Sequence, residues 1–213
     1  YIAFAWDGGT TQGNTDGSTD ISSPLQYANS TAGFSMTQYT GNNAARTIGH
    51  GLGVKPEMII TKALSGGGDA NTAWRVWHTG LSAMNKRLEW NDDAAEATTT
   101  TSWNNTAPTA SVFSLGADGN TNQDSAEYLC LCWTSVKGFS RFGKYHGNGN
   151  ADGAVIELGF KPRMLMLKNI DTADKSWVVV DSERNLSSPL GEAWFPDLDN
   201  TACSDITAID FYA

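Results

Sequence analysis

Short apolar stretches, many alternating apolar and polar positions, recur along the chain and are broken by Gly, Asn and Pro. That pattern reads as strands, because successive side chains on a strand point to opposite faces. It predicts a strand over residues 33–39, a Gly/Asn turn, a strand near 47–50 and a turn at 51–56. An apolar strand follows over 58–62, then a glycine loop at 66–68 and an aromatic strand over 74–78. Further strands are expected over 112–115 and 128–133. Residues 92–101 have room for one helical turn, but their run of threonines, stiff at χ1, argues against a long helix. Residues 7–32 are rich in Gly, Thr, Ser and Asp and read as a linker.

The pattern repeats. Gly33-Phe34-Ser35 recurs as Gly138-Phe139-Ser140, and residues 39–62 align without gaps on 145–168, with ten identities at a shift of 106. Among these are Tyr39/Tyr145, Gly41/Gly147, Leu52/Leu158, Gly53/Gly159, Pro56/Pro162 and Met58/Met164. The segment Tyr128-Leu129-Cys130-Leu131-Cys132-Trp133 likewise matches the opening Tyr1-Ile2-Ala3-Phe4-Ala5-Trp6. A second set of strands is therefore expected over 164–168, 177–181 and 209–213.

The expected fold is all-β, a tandem of antiparallel β-sandwich repeats of about 105 residues each. Residues 1–32 would hold the closing strand of a preceding repeat plus the linker, and 33–137 a complete repeat. Residues 138–213 would be a second repeat, truncated before its closing strand, in a fragment of a longer protein. A sheet short of one strand exposes an open edge and an apolar groove, both costly in water. Residues 1–6 are thus expected to fill that vacancy, from the same chain or a neighbouring one.

Composition supports this picture and narrows the partners. Gly, Thr, Ser and Asn make up over a third of the chain against 17% charged residues, which favours strands and turns over helices. With 213 residues, 40% hydrophobic content and 8 Trp, there is material for a real core. The formal charge of −9 argues against a phosphate-binding surface, so no nucleic-acid partner is expected. No apolar run approaches the ~18 residues of a spanning helix, and no membrane insertion is expected.

In combination, several motifs resemble a known family. Thr31-Ala32-Gly33-Phe34-Ser35, Tyr39-Thr40-Gly41-Asn42, Ile48-Gly49-His50-Gly51-Leu52-Gly53, Lys55-Pro56-Glu57-Met58 and Trp103-Asn104-Asn105-Thr106-Ala107-Pro108-Thr109 look like the repeated, uncharacterised domain of marine bacteriophage virion proteins of tail or tail-fibre type. Phe142-Gly143, Tyr145, Gly147-Asn148-Gly149, Ala151-Asp152-Gly153 and Gly159-Phe160-Lys161-Pro162-Arg163 are similar to the second half of that domain. The resemblance implies a location on the virion surface, other virion subunits as partners and a role in tail structure or host attachment. It implies no catalytic residue. Because fibre proteins are commonly trimeric, it also implies a homo-oligomer.

Candidate chemistry is sparse, and neither an enzyme nor a cofactor is expected. The sequence holds no Gly-x-Ser-x-Gly elbow and no closely spaced acidic strand of the glycosidase kind. The densest acidic cluster is Glu89, Asp92, Asp93 and Glu96. Trp77, Trp90 and Trp103, with Asp92 and Asp93, are the candidate glycan-binding set, since aromatic faces stack on sugar rings and carboxylates accept hydroxyl donors. Such a site would recognise host-surface glycans, and the competing expectation is ordinary core tryptophans beside a solvated loop. Asp118, Asn120, Asn122 and Asp124 present oxygens at alternate positions, as calcium loops do, but the sixth-position glycine and the terminal carboxylate are missing. A solvated hairpin loop is the competing expectation there. His50 lies among glycines and reads as turn chemistry, while His78 and His146 offer no metal spacing. Cys130 and Cys132 match Ala3 and Ala5 and read as small buried fillers, and Cys203 has no sequence partner.

Overall fold

The computed structural model describes residues 6–9, 11–13, 25–66, 73–150, 152–183, 190–198, 203–209 and 211. In the first half of the chain the strands are β1 (Thr11–Gly13), β2 (Leu25–Asn29), β3 (Phe34–Thr40), β4 (Arg46–Gly49), β5 (Met58–Ser65), β6 (Arg75–His78), β7 (Lys86–Glu89), β8 (Ala97–Thr98), β9 (Val112–Leu115) and β10 (Glu127–Trp133). A single helical turn, α1 (Gly119–Asn122), precedes β10. The remainder carries β11 (Met164–Leu167), β12 (Val178–Asp181), β13 (Leu190–Ala193) and β14 (Cys203–Ile209). The protein is all-β, and its paired strands run antiparallel.

Strand order explains why β10 is so apolar. The large sheet runs β1-β2-β3-β10-β5-β6-β7-β8, so β10 enters between two strands that precede it by many residues. It pairs Tyr128 with Tyr39 and Trp133 with Phe34 on one side, and Trp133 with Met58 on the other. Tyr128, Cys130 and Cys132 are buried at alternate positions, as the period of a strand requires. The β4–β9 ribbon contributes Ile48, Phe113 and Leu115 to the same core as Tyr39, Ile59, Trp77 and Tyr128. The Tyr39 and Tyr128 rings stack there at 5.2 Å.

Two expectations change. Residues 7–32 are not simply linker: β2 pairs along β3, from Leu25 opposite Gln38 to Asn29 opposite Phe34. Its anchor is Gln26, fully buried, whose Nε2 donates to the Gly49 carbonyl at 2.8 Å and to the Thr37 hydroxyl at 3.2 Å. The boundary placed at residue 33 therefore cuts through a hairpin. Residues 92–101, with room for one helical turn, carry β8 instead, and the observed turn is α1, capped by Asp118.

After residue 137 the sheet structure thins. Val136 and Ser140 form an isolated bridge, and residues 141–163 hold no strand among those described. β11 pairs with β12, a Val179–Trp194 bridge adjoins β12, and β13 pairs with β14. Val180 and Ala193 form a small core of their own with Val178, Leu165, Phe195, Ile209 and Phe211. Residues 1–5 lie outside the described residues. Trp6 rests on the first half, stacked on Phe34 at 5.6 Å and edge-on to Trp133 at 5.4 Å.

Candidate functional site

A dense polar cluster joins strands β6 and β7 to α1. Arg75 on β6 and Arg87 on β7 both bond the Glu89 carboxylate, and the Arg75 Nε lies 3.4 Å from Asp118 Oδ2. The Asp118 carboxylate also accepts from the Ser102 hydroxyl and, at 2.9 Å, from the Asn120 backbone amide. Burial by itself pushes the Asp118 carboxyl upward, but the Ser102 and Asn120 hydrogen bonds and the Arg75 charge outweigh it and hold it below the usual range. Its oxygens are thereby committed to capping α1 and binding Arg75.

That commitment corrects the calcium candidate. Asn122 is buried, with its Nδ2 donating to the Ala44 and Gly116 carbonyls and its Oδ1 accepting from the Asn42 amide at 3.0 Å. The Asn120 Oδ1 accepts from the Ala73 amide, and Asp124 is exposed beside Ser125. Asp118, Asn120 and Asn122 thus turn their oxygens to the protein itself. Among the described residues, no group of three or more His, Cys, Asp or Glu side chains is placed to hold a metal ion.

The glycan-binding set does not assemble either. Trp77 and Trp103 are buried in the main core, so neither offers a ring face to a sugar. The Lys55 ammonium lies 5.7 Å above the Trp77 ring. Trp90 is half-buried against Trp177, with ring centroids 4.8 Å apart and tilted by 40°. Trp74, just before β6, is half-buried and packs against the same core as Trp77.

Asp92 and Asp93 have a different role from the expected one. The Asp92 Oδ1 accepts from the Ala94 amide, and the Asp93 backbone carbonyl accepts from Lys168 Nζ at 3.0 Å and from the Lys175 amide at 3.2 Å. The Glu96 amide donates to the Ile170 carbonyl at 2.9 Å, and the Trp177 Nε1 donates to the Glu89 carbonyl at 2.8 Å. Residues 89–96 therefore form a seam that docks the later part of the chain onto the first. Burial pushes the Lys168 ammonium below its usual range, partly opposed by Asp197, Asp93 and Asp92. Sequence reasoning missed this seam because its bonds run largely through backbone carbonyls, which no side-chain motif marks.

The remaining candidates are structural in geometry. His50 is buried, its Nδ1 accepting from the Leu52 amide and its Nε2 lying 3.2 Å from the Thr109 carbonyl. Cys130 and Cys132 are free, buried and 3.7 Å apart at sulfur, and burial pushes the Cys130 thiol well up. A raised thiol is a poor nucleophile at neutral pH. Cys203 stands on β14, and its side chain lies outside what the structure describes.

The chain belongs to the DUF7483 family. That family is a domain of unknown function, and its match covers residues 1–213. No curated protein and no solved structure matches the chain. A single DUF7483 match thus contains both of the stretches that the internal repeat relates, residues 39–62 and 145–168.

Proposed function

We propose that this chain is a non-enzymatic structural or surface module of a phage virion, of tail or fibre type, built from tandem antiparallel β-sandwich repeats. The observation that carries the repeat is a shared hairpin register. Met58 on β5 pairs with His78 at the end of β6, and Met164 on β11 pairs with Asp181 at the end of β12. The matched glycines after Leu52 and Leu158 also share a left-handed backbone, with φ of 72° at Gly53 and 80° at Gly159. Only glycine adopts that conformation at no steric cost, so the two turns are one device used twice.

The virion role draws on the motif resemblance, and the commitment of the candidate side chains to internal contacts agrees with it. Such a module acts passively: repetition multiplies weak contacts, which raises avidity when several copies meet one surface. Host attachment and contacts with other virion subunits are its expected partners. Among the described residues no helix is long and apolar enough to cross a membrane.

Immunogold labelling of phage particles, with antibodies raised against this chain, tests the reading. Decoration of intact tails or fibres is the expected result. Label confined to the soluble fraction of the lysate would overturn it, as would glycan hydrolysis by the purified chain. Retention on a glycan array that is lost on Trp90→Ala would instead support a carbohydrate-binding module.

A further inference from the structure

We propose that the concave face formed by residues 135–141 and 158–159 binds an acidic polysaccharide, whose carboxylates or sulfates meet Lys137 and Arg141 and whose sugar rings pack beside them on Phe139. The inference deepens the host-attachment part of the proposed function and rests on it.

Charge is unevenly divided along the chain. Residues 134–168 carry six Lys and Arg side chains against Asp152 and Glu157, a net charge of +4 in a chain whose total is −9. The internal match shows that the repeated pattern does not require this excess: Lys137, Arg141, Lys144 and Arg163 stand where the first copy has Ala32, Met36, Gln38 and Glu57. Arg163 is paired with Glu183. Lys137, Arg141, Lys144 and Lys161 are exposed, and none of the four makes an ion pair among the described residues. Four cations on one segment of an acidic chain, held by no carboxylate there, are available to an anion from outside.

Geometry gathers two of them. Lys137 and Arg141 line one cavity of about 420 Å³ with Ser135, Ser140, Leu158 and Gly159. Their wall is a tight turn, in which the Val136 amide donates to the Ser140 carbonyl and the Phe139 and Ser140 amides donate to the Val136 carbonyl. The turn is tied down behind: the Ser135 amide donates to Glu57 Oε2 at 2.5 Å, and Phe142 packs on the main core with its ring 6.4 Å from His78. A base ordered in advance loses less entropy on binding. Phe139 lies between Gly138 and Ser140 in that turn and is 64% exposed. Ring faces pack on sugar rings, and charged donors bond carboxylate or sulfate oxygens, so cations flanking an open phenyl ring suit an acidic sugar. Nucleic acid fits less well. Duplex DNA carries a charge about every 1.7 Å, and the rest of this chain, at −13, repels so dense a polyanion. An acidic polysaccharide spaces its charges at least a sugar ring apart.

Fluorescence-anisotropy titration of the full chain against labelled oligogalacturonate, sulfated dextran, uncharged dextran and single-stranded DNA tests this. The expected result is saturable binding of oligogalacturonate or sulfated dextran at about 0.1 M salt that is lost at about 1 M, as the screening length falls from about 10 Å to about 3 Å. Which of the two binds shows whether the site takes a carboxylate or a sulfate. Lys137→Gln combined with Arg141→Gln should weaken binding about tenfold, as the loss of two exposed ion pairs implies. Phe139→Ala should weaken it about threefold to tenfold. Arg163→Gln removes a like charge outside the cavity and should change affinity by less than about twofold. Circular dichroism of each variant establishes that it folds. Failure to bind either acidic polymer, equal binding of uncharged dextran, tighter binding of DNA, or as large a loss on Arg163→Gln as on the cavity pair overturns the proposal. Particle labelling reads location and these titrations read binding, so failure of this site and failure of the virion reading are distinguishable.

Discussion

Asp118 ties three parts of the fold together, since it caps α1, bonds Ser102 and faces Arg75 in a largely buried cluster. Its removal leaves Arg75 paired with Glu89 but strips the Ser102 hydroxyl and the Asn120 amide of their acceptor. Asp118→Ala should therefore cost about 1–3 kcal/mol of stability, read by urea denaturation; a loss below about 0.5 kcal/mol would make the cluster ornamental. His78 gives a pH effect. Burial pushes its imidazole below the ordinary 6.5, against the opposing pull of Glu57, so the folded chain binds a proton less readily than the unfolded one. Its contribution to stability is present above the unfolded value and is lost as pH falls below about 6.5. Thermal melting between pH 8 and pH 5 should show that loss, and His78→Gln should flatten it. Candidate residues such as Trp77 and Asn122 were legible as chemical types. Their burial was not, because exposure depends on which strand lies across them.

At the scale of elements, the two copies make opposite predictions for one matched glycine. A side chain at Gly41 would meet the Gln123 carbonyl oxygen at 2.0 Å, whereas at Gly147 it would meet nothing within 4 Å. Gly41→Ala must push backbone apart and should cost about 1–3 kcal/mol. Gly147→Ala should change stability by no more than about 0.5 kcal/mol. Equal effects in chemical denaturation would show that the two turns have the same surroundings. Strands β3, β4, β5, β6, β9, β10, β11 and β12 fall where hydrophobic alternation placed them, give or take a few residues. β2 escaped because its anchor is a polar residue, Gln26, whose buried Nε2 donates to Gly49 and Thr37. β7 and β8 escaped because they are short and carry Lys86, Arg87 and Thr98, half-buried or exposed.

For the whole molecule, the seam at residues 89–96 decides how the later part of the chain is held. Trp90 meets Trp177, and the Glu89 and Asp93 carbonyls receive the Trp177 indole and the Lys168 ammonium. Truncating Trp90 to Ala removes the ring contact with Trp177 at the margin of the main core. Limited proteolysis should then cleave within 138–183 faster than in the parent chain, with the 25–133 sheet protected in both. Unchanged cleavage would show that the backbone bonds of the seam suffice.

Sequence alone determined the β class, the two-fold recurrence of residues 39–62 and the identity of the apolar strands, because alternation and turn residues are local properties of the chain. Tertiary structure decided the rest. It placed β10 between β3 and β5, turned Trp77, Trp103 and Asn122 inward, and made the acidic loop at 89–96 a seam. Each of those outcomes depends on pairings between residues far apart in the chain, for which a strand's own pattern specifies that it has a buried face but not which neighbour buries it.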